Sequence, residues 1–454
     1  MRSAEGMRTV LVVSPHFPPV NAPDMHRVRL SLPHFEEFGW RAIVLAVEPR
    51  DTGRDCEPAL LETVPPGTEV VRVRALPEAL TRRAGITALG VRAWFSMYWA
   101  GLRLLRRHRV DLVYISTTMF PLMSLGRMWK ARTGIPFVLD LQDPWVGDYY
   151  ETKPLQERPR KYRSARRFHS ALEAWTMRRV DGLVAVSAAY HETVRRRYPS
   201  IPADLCETIT FGASATDYDV ARRTARSRTF WKANDGLVHG VYAGVLGPVM
   251  RPACRLLCEA FARGLAASPR LFSRVRLHFV GTDYRPAGRG VPTIRPLAEA
   301  MGLGEFIREE PARIPYLEVL RVLEAADFLV VPGSDDPDYT ASKLYAYVMA
   351  RKPLLAVLHE RSGAAEALRA THAGELATFR PEEPTAGVVD RLLDTWAGML
   401  ARLPYEPATD WTRFEPFTAR TVTQRQCDLF DRVLARHARV PFGARPHVTS
   451  VPRA

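Results

Sequence analysis

The sequence predicts an α/β protein made of two doubly wound parallel sheets. Three observations carry this. β-branched and apolar residues recur in short continuous runs, which mark strands covered on both faces. Between the runs lie segments with apolar residues at i, i+3 and i+4, and strands that alternate with helices belong to parallel sheets. At 454 residues the chain exceeds one ordinary core, and the alternation weakens once, near its middle.

The first series opens with TVLVVS at 9–14, followed by a Pro-rich loop and a helix over 25–37 closed by Gly39. Strands follow at 41–47, 69–73, 111–115, 136–141 and 182–186, with a long basic helical stretch over 84–107 and Ser187 capping a further helix. Small polar residues then gather between 199 and 231, where a linker is expected. The second series predicts strands at 240–242, 275–280, 306–308, 328–331 and 354–358, with helices over 253–264, 294–301, 316–325 and 343–350. An amphipathic helix over 418–435 precedes a Pro-, Gly- and Arg-rich end expected to be disordered. The domains expected are therefore 1–205, a linker at 206–235, 236–408, a C-terminal helix at 409–437 packing back toward the first domain, and a tail at 438–454.

Hydrophobic content of 46% with 25% charged residues is that of a globular protein in water. Cys56, Cys206, Cys254, Cys258 and Cys427 form neither a zinc pattern nor a disulfide framework, so a reducing cytoplasm is the expected compartment. The apolar run at 10–13 is too short for a signal peptide, and none approaches the roughly 18 residues of a spanning helix. The net charge of +15 favours phosphorylated ligands or an anionic surface. Nucleic acid is disfavoured, because no familiar binding module is present.

Residues 332–353, PGSDDPDYTASKLYAYVMARKP, are the stretch around which the rest is organised. An acidic loop joins a strand to a helix there, Ser342 is a good N-cap type, and Lys343 adds a full charge. Gly244 and Gly247 form a turn after the strand at 240–242, where backbone can approach a pyrophosphate, and Arg251 can clamp phosphate oxygens. Each also has a plain reading, as a turn glycine or a solvated helix end. In the first half, Asp143 and Trp145 follow a strand and suit an acceptor hydroxyl and a sugar face, while Asp140 turns inward or caps that strand. His16 and Asn21 lie in the loop after the first strand, beyond its carboxyl end. Residues 81–109 interleave seven arginines with Trp94, Phe95, Tyr98 and Trp99, either as a core-packed helix with a solvated basic face or as a surface for anionic lipid.

Taken in order, these pieces resemble the GT-B glycosyltransferases, in particular the retaining group with a glycosyltransferase-4-like N-terminal domain. The resemblance spans about residues 8–435 and rests on VVSPHFPP at 12–19, DGLVAVS at 181–187, TITFG at 208–212, YAGVLG at 242–247, and SKLYAY at 342–347 with RKP at 351–353. It implies a GT-B fold, two Rossmann-like domains facing each other across a cleft that binds a nucleotide sugar. It further implies donor contacts from Gly244, Gly247, Arg251, Asp338, Tyr339, Thr340, Ser342, Lys343 and Leu344, an acceptor side formed by His16, Asn21 and Trp145, Asp143, Arg251 and Asp338 as the catalytic candidates, and no metal or cofactor. The family carries two glutamates where this chain has Asp338 and Ala346, so ribose recognition is expected from Ser342, Lys343 or Asp336 instead. The activity implied is transfer from a nucleoside diphosphate sugar to a glycan or lipid-linked acceptor, as in polysaccharide biosynthesis, in the cytoplasm or at an anionic membrane face. The alternatives are a GT-B-like binding protein without transferase activity and a Rossmann oxidoreductase. The second lacks its glycine fingerprint and ribose-binding acid.

Overall fold

In the computed structural model, residues 6–147, 151, 158, 162–226, 228–285, 289–337 and 342–439 are described. The chain forms two compact units. One comprises residues up to 56, 64–209 and the chain from 423; the other comprises 57–63 and 210–422.

The first unit is built on strands β1 (Arg8–Val13), β2 (Trp40–Val47), β3 (Glu69–Val73), β4 (Leu112–Ser116), β5 (Phe137–Leu141), β6 (Gly182–Ala185) and β7 (Cys206–Thr208). They pair in the order β3-β2-β1-β4-β5-β6-β7, and every pairing is parallel. Burial explains the unbroken apolar runs: Val10, Leu11, Val12 and Val13 are fully enclosed because the sheet is covered on both faces. On one face the helix Trp94–Arg107 meets Ser124–Thr133 at Gly101, where an added Cβ would collide with the Trp129 ring. The last helix, Ala419–Arg439, contributes Phe430, whose ring packs on Phe35, Trp40 and Tyr114. Asp431, one residue on, pairs with Arg8 at 2.7 Å and accepts from the Trp40 indole at 3.0 Å.

The second unit repeats the plan with β8 (Val238–Ala243), β9 (Val275–Val280), β10 (Ile307–Glu310), β11 (Phe328–Pro332), β12 (Leu354–His359) and β13 (Glu375–Phe379), in the order β10-β9-β8-β11-β12-β13. Its pairings are likewise parallel. Helices Arg251–Ala267 and Thr385–Arg402 enclose an aromatic cluster of Phe261, Phe272, Phe328 and Trp396.

Several elements differ from the sequence reading. The α-helix expected over 25–37 runs only His26–Ser31 and continues as 3-10 turns, because Pro33 has no N–H to donate and crowds the preceding turn. The basic stretch over 84–107 is two helices, Leu89–Arg92 and Trp94–Arg107, broken at Ala93. Within the segment expected as a linker, Cys206–Thr208 is the seventh strand and Ala215–Thr224 is a helix packed on Tyr316–Ala325. Ser187 stands at an N-cap, but its side chain makes no cap bond. The expected tail lies outside the described residues from 440 onward.

Candidate functional site

In both sheets the strand order reverses beside the first strand, between β1 and β4 and between β8 and β11. Connections leave such a point in opposite directions, and the crevice beyond the carboxyl ends of its strands is where doubly wound folds bind ligands. Each unit carries charged and polar groups there.

In the second unit β8 ends at Ala243 and the chain turns at Gly244. Gly244 has φ +152°, and a Cβ there would stand 2.1 Å from Lys343 Nζ, so the lysine side chain crosses bare backbone. Lys343 Nζ lies 3.5 Å from the Tyr242 hydroxyl and 5.5 Å from the centroid of its ring. Tyr347 fixes this arrangement: its hydroxyl donates to the Ala243 carbonyl at 2.9 Å and accepts from the Ala243 N–H at 2.7 Å. Helix Leu344–Met349 is thereby stitched to the end of β8, with Lys343 at its cap position. Burial, reinforced by the Arg313 guanidinium, pulls the Lys343 ammonium down to about 8. The loop after β11 joins the same construction, because the Asp335 N–H donates to the Val249 carbonyl at 3.0 Å. Arg251 opens the following helix with its side chain exposed.

The donor-side candidates fare unequally. Gly244 and Lys343 come together, but Gly247 has room for a Cβ, whose nearest neighbour would be Val249 at 3.8 Å. No close approach requires glycine at that position. Ser342 is not the N-cap: Lys343 occupies that position and no side-chain cap bond forms. Leu344 is 1% exposed and faces the core, which leaves only its backbone for a ligand. Asp338, Tyr339 and Thr340 lie outside the described residues. At Ala346 the carbonyl accepts from the Tyr218 hydroxyl at 2.7 Å, and Asp336 bonds through its N–H to Ser334 Oγ at 2.9 Å. Sequence reasoning missed Arg313, Tyr242 and Tyr347. Arg313 sits in a Pro-Ala-Arg-Ile-Pro segment with no periodic signal, whereas both tyrosines read as ordinary core residues.

In the first unit, His16 follows β1 and its Nδ1 lies 2.7 Å from Asp24 Oδ1, with both side chains buried. Thr117, just beyond β4, donates to Asp24 Oδ2 at 3.2 Å. Burial works against the Asp24 charge, but the bonds from His16 and Thr117 outweigh it and hold the carboxyl below its ordinary value. Asp143, beyond β5, remains accessible to solvent, yet the surrounding chain and the Asp24 carboxylate push it up to about 6. Beneath them Asp140 is fully enclosed, accepting from Arg27 Nε at 3.2 Å, Ser116 Oγ at 2.8 Å and Gln142 Nε2 at 3.3 Å. The Asn21 N–H is committed to the Asp55 carbonyl at 2.9 Å. Trp145 is a correction. It is 6% exposed, stacks on Phe120 and donates to His169 at 3.1 Å, so it is a core group and not an open platform for a sugar. Asp24 was invisible as a partner, since an aspartate after proline reads as a helix start and an eight-residue gap to His16 has no periodic meaning.

Two open cavities of about 390 and 490 Å³ share Phe230, His278 and Arg308 in their walls, and the smaller reaches Val280 and Glu310 at the ends of β9 and β10.

Two parallel, doubly wound sheets ordered this way are the architecture of the GT-B fold, which the solved structures below share. Residues 26–212 match the glycosyl transferase 4-like domain. A D-inositol 3-phosphate glycosyltransferase of Geodermatophilus obscurus is 32% identical over 162 residues, and that match covers 34% of each chain, about a third of the relative's length. Among solved structures, HepE of Anabaena, crystallised with UDP-glucose, superposes with TM-score 0.55 at 15% identity, covering 94% of this chain and 99% of HepE. A UDP-forming trehalose-phosphate synthase of Burkholderia xenovorans gives TM-score 0.56 at 13% identity, with 94% and 99% covered. These structural likenesses establish the fold. The chain therefore has the GT-B fold, and within its first unit residues 26–212 are similar to the glycosyl transferase 4-like domain.

Proposed function

We propose that the protein transfers a sugar from a nucleoside diphosphate donor to a glycan or lipid-linked acceptor, with retention and without a metal, in the cytoplasm. The observation that carries this reading is Lys343 lying across Gly244 at the order reversal of the second sheet. A diphosphate leaving group needs fixed positive charge as the glycosidic bond breaks. Lys343 supplies it, with Arg251 opening the helix that follows β8 and Arg313 on the loop after β10. HepE was crystallised with UDP and with UDP-glucose, which favours uridine as the base. In the first unit Asp143 orients the acceptor hydroxyl and takes its proton, with Asp24 beside it raising its basicity.

The donor is tested by thermal unfolding of the full chain with UDP, GDP and a panel of their sugars. One base is expected to stabilise by about 2.7 kcal/mol at a hundred times its Kd. Protection by no nucleotide at millimolar concentration would sink the proposal. A second reading, a nucleotide-sugar-binding protein without turnover, is favoured by Ala346, which offers no carboxylate for ribose and spends its carbonyl on Tyr218. Protection without hydrolysis or transfer would select it.

The role of Asp143 makes its own prediction. A general base works when deprotonated, so the rate rises with pH through about 6 and levels above it. Asp143→Asn is expected to lower kcat by roughly 10²–10³-fold, to abolish that limb and to leave KM for the donor nearly unchanged. A variant with the wild-type pH profile would remove Asp143 from the chemistry.

A further inference from the structure

The first unit presents a face that its own packing leaves unexplained. In helix Trp94–Arg107 the inward side is ordinary core: Met97, Tyr98, Leu102 and Leu105 are buried, and Trp94 stacks on Tyr98. The outward side carries Phe95 at 66% exposure and Trp99 at 61%, one turn apart. Solvated helix faces normally carry polar residues, so two consecutive aromatic positions facing water point to something that covers them. Leu76 is 52% exposed and is held beside the start of this helix: its N–H donates to the Arg92 carbonyl at 3.1 Å, and Arg92 Nη1 returns a bond to its carbonyl at 2.8 Å. Leu80, on the short helix Glu78–Thr81, is 69% exposed.

The charge along helix Trp94–Arg107 has one sign, and Glu78, beside Leu80, is paired with Arg82. No aspartate or glutamate occurs between residues 79 and 110, while seven arginines do. Arg92 is buried. Among the described residues Arg83, Arg103, Arg106, Arg107 and Arg109 are exposed and make no ion pair. No helix among the described residues is long and apolar enough to cross a membrane. Aromatic side chains backed by unpaired arginines suit the headgroup layer of a bilayer, where rings reach the acyl boundary and guanidinium groups meet lipid phosphates.

We propose that the outward face of helix Trp94–Arg107, with Leu76 and Leu80 beside it, docks the protein on an anionic lipid bilayer. Phe95 and Trp99 enter the headgroup layer and Arg103, Arg106 and Arg107 hold lipid phosphates. The proposal stands apart from the transferase reading, because docking needs neither nucleotide nor turnover. It is tested with the full chain and vesicles of 30% phosphatidylglycerol in phosphatidylcholine, without nucleotide. The protein is expected to sediment with these vesicles at low salt, to be released at high salt and to ignore pure phosphatidylcholine. Each arginine near the surface is worth about fivefold in binding, so Arg103→Gln with Arg106→Gln is expected to weaken it roughly 25-fold. Phe95→Ser with Trp99→Ser is expected to weaken it at least tenfold. Brominated lipid is expected to quench the emission of the wild type but not of Trp99→Phe, which still binds. Failure to bind anionic vesicles would overturn the proposal, as would binding unchanged by both double substitutions. So would equal binding to heparin or DNA that ignores Phe95 and Trp99, which would make the face a general polyanion surface.

Discussion

Lys343→Ala is expected to weaken nucleoside diphosphate binding by ~10–100-fold, the loss that follows removal of one charge-assisted contact from a partly enclosed site. Its pH dependence separates this from a general loss of structure. The Lys343 ammonium is pulled down to about 8, so it is charged at pH 7 and largely neutral at pH 9. Wild-type affinity is therefore expected to fall between those pH values, and the affinity of Lys343→Ala to stay level. Stability moves in the opposite sense. The folded value lies below the 10.5 of the unfolded chain, so the unfolded chain holds more protons between about 8 and 10.5. The wild type accordingly gains stability as pH rises through that window, and the variant lacks this gain. Calorimetric titration and melting from pH 7 to 10 check both. Unchanged affinity in the variant would remove Lys343 from the site.

Arg27→Ala is expected to be the most damaging single change to the fold. Arg27 is 2% exposed, its Nε donates to Asp140, and its Nη2 donates to the Ile209 carbonyl at 2.5 Å. Truncation strands a fully buried carboxylate, which typically costs about 3–5 kcal/mol. For a unit of this size that corresponds to a fall of roughly 10 °C in Tm. Arg27→Met with Asp140→Leu, which removes both charges, is expected to recover part of the loss. Equal melting of the single and double variants would show that the pair is not coupled.

Central strands were legible because burial on both faces leaves a plain mark. Val10 to Val13 and Leu354 to Leu358 have no polar residue to interrupt the run. The strands missed are the edges β7, Cys-Glu-Thr, and β13, Glu-Leu-Ala-Thr-Phe, which pair on one side only and tolerate polar residues. Helix ends were less legible than helix existence, as the one-residue shift from Ser342 to Lys343 shows. At the sites, groups on the chain's own turns could be read, so Lys343 and Gly244 stood out. Partners brought from distant loops could not: Thr117 lies 93 residues from Asp24, and Tyr347 lies 104 from the strand end it holds. Such contacts are made by the sheet order and not by any local spacing.

The aromatic ring of Phe430 sets a timetable for folding. It covers Phe35, Trp40 and Tyr114, yet it is synthesised more than 300 residues after the last of them. At roughly 5–20 residues per second the first sheet waits some tens of seconds on the ribosome with those rings uncovered. The first unit therefore cannot complete its core as it emerges. Its closure is a late, long-range event, and a chaperone that shields apolar surface has its natural opening in that interval.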